Sequence, residues 1–152
     1  MKDLKIIYLD IDKVLNSRSS IEAFGTDDEF DPVSCGLLRK LVKNTCSHIV
    51  IISQRRIGNS IEDLRSMLKD HAGKRISSSI IDKVSDANIP RGGLIRDWEE
   101  ANGFNGVYCI IDDKNEGYSA SQQECLVQPD PDHGFHILDY GLAYLLLSKE
   151  TR

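Results

Sequence analysis

Apolar residues along the chain form short continuous runs rather than a strict alternation with polar residues. The clearest runs cover residues 4–10 (LKIIYLD), 47–53 (SHIVIIS) and 107–112 (VYCIID), with a weaker run at 124–128 (ECLVQ). Strands that are apolar throughout are typical of a parallel sheet that is covered on both faces. The segment RISSSIID at 75–82 predicts one additional short strand.

Helical periodicity predicts four helices between and after these strands. In one of them, Ser60 followed by Asp63 forms a capping signature, and Gly73 marks the end of the helix. The predicted helices cover residues 32–45, 60–73, 92–103 and 139–150. Strands that alternate with helices predict right-handed βαβ units, and therefore an α/β fold with a Rossmann-like parallel sheet and helices on both faces.

Length and composition predict one domain over residues 1–152. No apolar run approaches membrane-span length and no secretory leader precedes the first strand, so we expect a cytoplasmic protein. The formal net charge of −5 weighs against a protein that coats nucleic acid, although it permits recognition of a phosphorylated end. The cysteines are scattered and predicted to be reduced thiols; they are Cys35, Cys46, Cys109 and Cys125.

Acidic, hydroxyl and basic side chains follow three of the predicted strands. They are Asp10 and Asp12 after the first, Ser53, Arg55 and Arg56 after the second, and Asp112 and Asp113 after the third. In open α/β sheets, ligands bind outside the carboxyl ends of the strands. Four carboxylates at one edge repel one another unless a cation lies among them, and oxygen ligands together with a phosphate suit Mg²⁺. The pattern therefore predicts a Mg²⁺ and phosphate site.

These motifs, in this order, resemble the haloacid dehalogenase (HAD) superfamily of phosphohydrolases. LDIDKVLN resembles its first motif, VIISQRR its second and IIDDK its acidic fourth. RGGLIRDWEEANGFNGVYCIIDD resembles the small capless branch of the superfamily. The resemblance covers essentially the whole chain and implies a HAD-type Rossmann-like sheet with no large cap domain.

The resemblance implies a role for each matching residue. Asp10 would be the nucleophile and a metal ligand, and Asp12 the general acid and base, with its backbone carbonyl on the metal. Ser53 would bind the phosphoryl group, and Asp112, alone or with Asp113, would complete the Mg²⁺ site directly or through water. The expected reaction is hydrolysis of a phosphomonoester through an aspartyl-phosphate.

The cation of the third motif is assigned to Arg91, which opens a predicted helix, with Lys83 as the alternative. Arg55 and Arg56 are expected to clamp the substrate, because arginine binds phosphate through two parallel hydrogen bonds. Lys13 stands where the capless branch usually has glycine. A lysine so close to the nucleophile is expected to alter the local charge or the approach of substrate.

The spacing of the motifs bears on the substrate. Residues 16–32 are polar and aperiodic, which predicts a loop or short flap rather than a cap domain. A site without a cap resembles the sites of those superfamily members that act on large substrates. Candidate substrates are therefore phosphorylated nucleic-acid ends, phosphoproteins and nucleotides. Two alternatives are a receiver-type signalling domain, which the motif order disfavours, and a degenerate HAD-like module that binds phosphate or a partner without turnover.

Overall fold

The structure, a computed structural model, describes residues 3–150 of the chain. Within this range five parallel strands form one sheet. The strands are β1 (Ile6–Leu9), β2 (His48–Ile51), β3 (Ile80–Lys83), β4 (Tyr108–Ile111) and β5 (Leu126–Val127). Their order across the sheet is β3-β2-β1-β4-β5, so the central strand β1 lies between β2 and β4.

Seven α-helices connect or follow the strands within the described residues. They are α1 (Arg18–Phe24), α2 (Pro32–Thr45), α3 (Ile61–Ala72), α4 (Lys74–Ser79), α5 (Arg91–Asn102), α6 (Ala120–Gln123) and α7 (Ile137–Leu147). A short 3-10 turn, Gln54–Arg56, follows β2. None of the helices in residues 3–150 is long and apolar enough to cross a membrane.

Alternate residues of each central strand contribute to two separate apolar cores. On one face of the sheet, Ile7 and Leu9 lie in a buried cluster with residues of α2, α3, α4 and α7. On the other face, Ile6 and Tyr8 lie in a second cluster with residues of α5, including Trp98. Every position of β1 is therefore buried, which explains its unbroken apolar sequence. The predicted three-layer α/β fold is confirmed.

Local capping explains where helix α3 begins. The Ser60 hydroxyl accepts from the N–H of Asp63 (3.0 Å), and the Asp63 carboxylate accepts from the N–H of Ser60 (2.9 Å). This capping box starts α3, as predicted. Helix α7 begins at Ile137, two residues before the predicted start at 139.

The predicted strand at 75–82 is only partly correct. Its first half belongs to α4, in which the hydroxyls of Ser78 and Ser79 donate to the carbonyl of Arg75 (3.1 and 2.7 Å). Serine hydroxyls that satisfy a carbonyl one turn earlier are compatible with a helix. Only the segment from Ile80 to Lys83 pairs with β2.

The segment 16–32, predicted as a loop or flap, contains helix α1. Ser17 and Ser20 cap this helix reciprocally, because the side chain of each accepts from the backbone N–H of the other (2.8 and 3.0 Å). Within α1 only Ser20 is buried, so no apolar periodicity marked the helix in the sequence. The remaining residues, 25–31, form a loop that reaches the site described below.

Candidate active site

The carboxyl ends of three neighbouring strands bring the predicted acids and the predicted hydroxyl together. Asp10 follows β1 directly, and its N–H donates to the carbonyl of Ile111 at the end of β4 (2.9 Å). Asp112 follows β4, and Ser53 follows β2. Asp10, Ser53 and Asp113 line one cavity of about 330 Å³. The cavity lies where ligands bind in open parallel sheets.

Three carboxylates lie close together at this edge of the sheet. Asp10, Asp112 and Asp113 each offer an oxygen within 4.8 Å of the other two. Asp10 is 3% exposed and Asp112 is fully buried. Burial raises the pKa of Asp10 well above its usual range, although Arg91 opposes the shift, and burial also raises the pKa of Asp113. A buried cluster with oxygen donors alone fits a hard divalent cation.

Arg91, the first residue of α5, lies between two of these acids. Its Nη1 is 2.6 Å from Oδ2 of Asp112 and 3.3 Å from Oδ2 of Asp10. Lys83, the alternative, lies elsewhere: its Nζ is 3.2 Å from Asp86 and also donates to two backbone carbonyls. Arg91 is therefore the cation that contacts the acidic cluster.

The carboxylate of Asp112 is held by three donors. Arg91 and the hydroxyl of Tyr118 donate to Oδ2 (both 2.6 Å), and the N–H of Lys114 donates to Oδ1 (3.0 Å). Burial acts to raise the pKa of Asp112, but these donors hold it below its usual value. Asp112 is therefore an ionised partner of Arg91, with both oxygens already engaged.

Gly92 fixes the position from which Arg91 projects. Its N–H donates to the carbonyl of Gly117 (3.0 Å), and its carbonyl accepts from Nε2 of Gln122 (3.0 Å). A Cβ at Gly92 would lie 2.4 Å from the Gly117 carbonyl oxygen and 2.4 Å from Oε1 of Gln122. The absence of a side chain thus lets α5 begin against the loop before α6.

Asp12 has surroundings different from those of Asp10. Its carboxylate accepts from Nε and Nη2 of Arg55 (2.9 and 2.7 Å) and from Nδ2 of Asn16 (3.0 Å). Burial acts to raise the pKa of Asp12, but the hydrogen bonds from Arg55 and Asn16 lower it below its usual value. The two acids therefore differ in their surroundings: Asp12 has an arginine and an asparagine of its own as partners, whereas Asp10 lies in the buried carboxylate cluster.

Three basic residues line the same cavity: Lys13, Arg18 and Lys114. Lys13 has φ +64°, a left-handed conformation that favours glycine, and its N–H donates to Oδ1 of Asn16 (2.7 Å). This backbone conformation explains why the capless branch usually has glycine at the position of Lys13.

The sequence matches the family described as "HAD domain in Swiss Army Knife RNA repair proteins" over residues 6–138. The chain belongs to this HAD family. No significant match was found among curated proteins or among solved structures. Between β1 and α2 the chain forms only α1 and a loop, and between β2 and α5 it forms the 3-10 turn, two helices and β3. Residues 3–150 therefore contain no cap domain.

Most of the residues predicted from the HAD motifs lie together. Those that line the cavity are Asp10, Asp12, Lys13, Ser53, Arg91 and Asp113. Asp112 lies directly behind them, and Arg55 contacts the site through Asp12. The Ser53 hydroxyl is fully buried and accepts from the N–H of Arg55 (3.2 Å), so it also caps the turn after β2.

Arg56, the other arginine predicted as a substrate clamp, is not among the residues that line the cavity. The residue is 2% exposed, and its guanidinium donates to the carbonyls of Ser85 (2.9 Å), Ile52 and Ser53 (both 3.2 Å). A guanidinium used to satisfy buried carbonyls is not free to bind phosphate. Arg56 instead holds the turn after β2 against the segment after β3.

Two residues of this HAD site were not found from the sequence. Tyr118 hydrogen-bonds Asp112, but it lies in a polar loop with no periodicity that would single it out. Asn16 bridges the carboxylate of Asp12 and the carbonyl of Asp27 (both 3.0 Å). Its only signal is its position four residues after Asp12, which is not informative without the structure.

Proposed function

We propose that this protein is a Mg²⁺-dependent phosphomonoester hydrolase that acts through an aspartyl-phosphate on Asp10. The observation that carries the proposal is the set of Asp10, Ser53, Arg91 and Asp113 around one cavity in a chain of a HAD family. This set combines a nucleophile, a phosphate-binding hydroxyl and a cation for the developing charge.

The donor set fits Mg²⁺, because Asp10 and Asp113 offer carboxylate oxygens within 4.8 Å of each other in a cluster with oxygen donors alone. Asp10 and Asp113 would bind the ion through side chains, and Asp12 through its backbone carbonyl. Asp112 is less suited to direct ligation, since both of its oxygens already accept hydrogen bonds. When bound, Mg²⁺ would offset the negative charge of the phosphoryl group and of the acids.

The proposed reaction has two steps, and residues of the chain act in each. In the first, an oxygen of Asp10 forms a bond to phosphorus, the bond to the leaving oxygen breaks, and Asp12 gives its proton to that oxygen. In the second, a water oxygen forms a bond to phosphorus and the bond to Asp10 breaks. Asp12 takes the proton of the water, and inorganic phosphate leaves. Arg91 and Ser53 bind the phosphoryl oxygens throughout.

We propose a phosphorylated RNA end as the substrate. The description of the matching family names RNA repair proteins. The described residues contain no cap that would exclude a polymer. Three cations line the cavity, Lys13, Lys114 and Arg18, and they suit the neighbouring phosphodiester; Arg18 also pairs with Asp132 (2.7 Å). Nucleotides and phosphopeptides serve as competing substrates in the test.

The test measures phosphate release from an aryl phosphate and from oligoribonucleotides with a 3′- or a 5′-phosphate. Each substrate is measured with Mg²⁺, with EDTA and with the variant Asp10→Asn. Asp70→Asn, which changes an exposed acid of α3, is the matched control. We expect turnover that requires both Mg²⁺ and Asp10 and that is fastest with an RNA end.

Two other outcomes would change the conclusion. Preference for a nucleotide or a phosphopeptide would contradict the RNA assignment but not the chemistry. If every substrate of the panel is inert while inorganic phosphate still binds, the hydrolase assignment fails and a phosphate-binding role replaces it.

A further inference from the structure

Arg55 has an unusually complete set of protein acceptors. Its Nε and Nη2 donate to the two oxygens of Asp12 (2.9 and 2.7 Å), and Nη2 also donates to the carbonyl of Asp27 (2.9 Å). Its Nη1 is 3.5 Å from Oδ1 of Asp28 and 3.8 Å from Sδ of Met67. Each nitrogen of the guanidinium is therefore engaged within the protein, which does not favour its use as a substrate clamp.

The location of Arg55 leads to the same conclusion. Asp12 lines the cavity and its side chain is 40% exposed, whereas the side chain of Arg55 is 18% exposed and lies behind Asp12. The Cζ of Arg55 is 5.5 Å from the ring centroid of Phe30, on the face of that ring. A cation fixed by an aromatic face on one side and by a carboxylate on another has few alternative positions.

The contacts of Arg55 also join two parts of the chain that are separate in sequence. Asp27, Asp28 and Phe30 belong to the loop 25–31, which follows α1, whereas Asp12 follows β1. Asn16 makes a parallel connection, because its Nδ2 donates both to Asp12 and to the carbonyl of Asp27. The loop and the acid are therefore held in one hydrogen-bonded group.

We propose that Arg55 is a positioning residue that fixes the carboxylate of Asp12 and the loop 25–31 for proton transfer, and that it does not bind the substrate. The proposal rests on the function proposed above. In both steps Asp12 exchanges a proton with an oxygen on phosphorus, first that of the leaving group and then that of the attacking water. Two hydrogen bonds from Arg55 fix where the carboxylate of Asp12 lies for these transfers.

The proposal makes kcat, rather than KM, the quantity that depends on Arg55. In Arg55→Gln the carboxylate of Asp12 loses its fixed position, so formation and hydrolysis of the aspartyl-phosphate should both slow. We expect kcat to fall about 10²-fold, as is typical when a catalytic group is misplaced, with KM unchanged or lower. Label should therefore appear on the protein, and leave it, more slowly than in the wild type.

The experiment uses substrate with a labelled phosphoryl group, acid quench and measurement of label on the full-length protein. The matched control is Arg65→Gln, because Arg65 also holds a backbone carbonyl, that of Ile80, but has no contact with Asp12. Arg55→Lys keeps the charge without the paired hydrogen bonds. It should lie between the wild type and Arg55→Gln, and it carries the test if Arg55→Gln does not fold.

Two kinetic outcomes would overturn the proposal. A raised KM with unchanged kcat would make Arg55 a substrate clamp. A lowered kcat with label appearing on the protein and leaving it at wild-type rates would place its effect outside proton transfer by Asp12.

Hydrogen exchange tests the structural half of the proposal without turnover. The amides of residues 25–31 should exchange faster in Arg55→Gln than in the wild type or in Arg65→Gln, and unchanged exchange would refute the connection. If the wild type neither turns over nor takes up label, the proposed hydrolase function fails. The exchange result then still decides whether Arg55 holds the loop.

Discussion

Replacing Arg91 by methionine would remove the cation between Asp10 and Asp112 while keeping an unbranched apolar side chain. Asp10 and Asp112 are 3% and 0% exposed, so the variant would leave two buried acids without their countercharge. Removing one partner of a buried ion pair typically lowers stability by about 3–5 kcal/mol. Asp112 keeps its hydrogen bonds from Tyr118 and Lys114, so we expect the low end, about 3 kcal/mol at pH 7.

The loss should depend on pH in a defined direction. In the wild type the pKa of Asp112 is held below its usual value, so this group contributes stability above its unfolded-state pKa of about 4. That contribution is lost as the pH falls through the folded-state pKa. In Arg91→Met this contribution is reduced at pH 7, and protonation of the acids at low pH removes the need for a cation. The difference between the two proteins should therefore shrink as the pH falls below about 4.

Urea unfolding in EDTA at pH 7 and near pH 3 measures this difference. Arg96→Met is the matched control, because Arg96 is exposed on the same helix, and its effect should stay within about 0.5 kcal/mol. A loss below about 1 kcal/mol for Arg91→Met at pH 7, or an equal loss at both pH values, would refute the assignment of Arg91 as the countercharge.

Three further predictions concern residues around the same site. Gly92→Ala should lower the free energy of unfolding by about 1–3 kcal/mol in urea melts, because the added carbon would clash with the backbone carbonyl of Gly117. Gly93→Ala should not lower it, because its added carbon meets only the flexible side chain of Ile89. Tyr118→Phe should lower it by about 1.5–3 kcal/mol, since a hydrogen bond to the charged Asp112 is lost, and an unchanged midpoint would contradict that bond. Millimolar Mg²⁺ should raise the Tm of the wild type but have little effect on Asp113→Asn; equal shifts would exclude Asp113 as a ligand.

The sequence was most informative where burial dictates residue type. The runs that form β1, β2 and β4 are apolar at nearly every position because both faces of the sheet are covered. The capping box of Ser60 and Asp63 predicted the start of α3 correctly, because that signal is local. Helices α1 and α4 were missed because helix caps and serine hydrogen bonds stabilise them. Neither helix has the apolar stripe that would mark it in the sequence.

Adjacent arginines show the limit of sequence reasoning at the site. Arg55 and Arg56 have the same chemistry, but they leave the 3-10 turn in different directions. Arg55 donates to Asp12, whereas Arg56 donates to buried backbone carbonyls. Nothing local in the sequence distinguishes the two, since the direction of each side chain depends on elements far along the chain. Tyr118 was missed for the same reason, because its partner Asp112 defines its role.

The order of strands has a consequence for how the molecule assembles during synthesis. The central strand β1 is the earliest of the five in the chain, yet Ile6 pairs with His48 on one side and with Tyr108 on the other. A growing chain thus carries the apolar strand and its aspartate long before the second neighbour emerges from the ribosome. Until then one edge of β1 is open, a state prone to aggregation. Such non-local pairing also slows folding, so β1 stays unpaired on this side until β4 has been made.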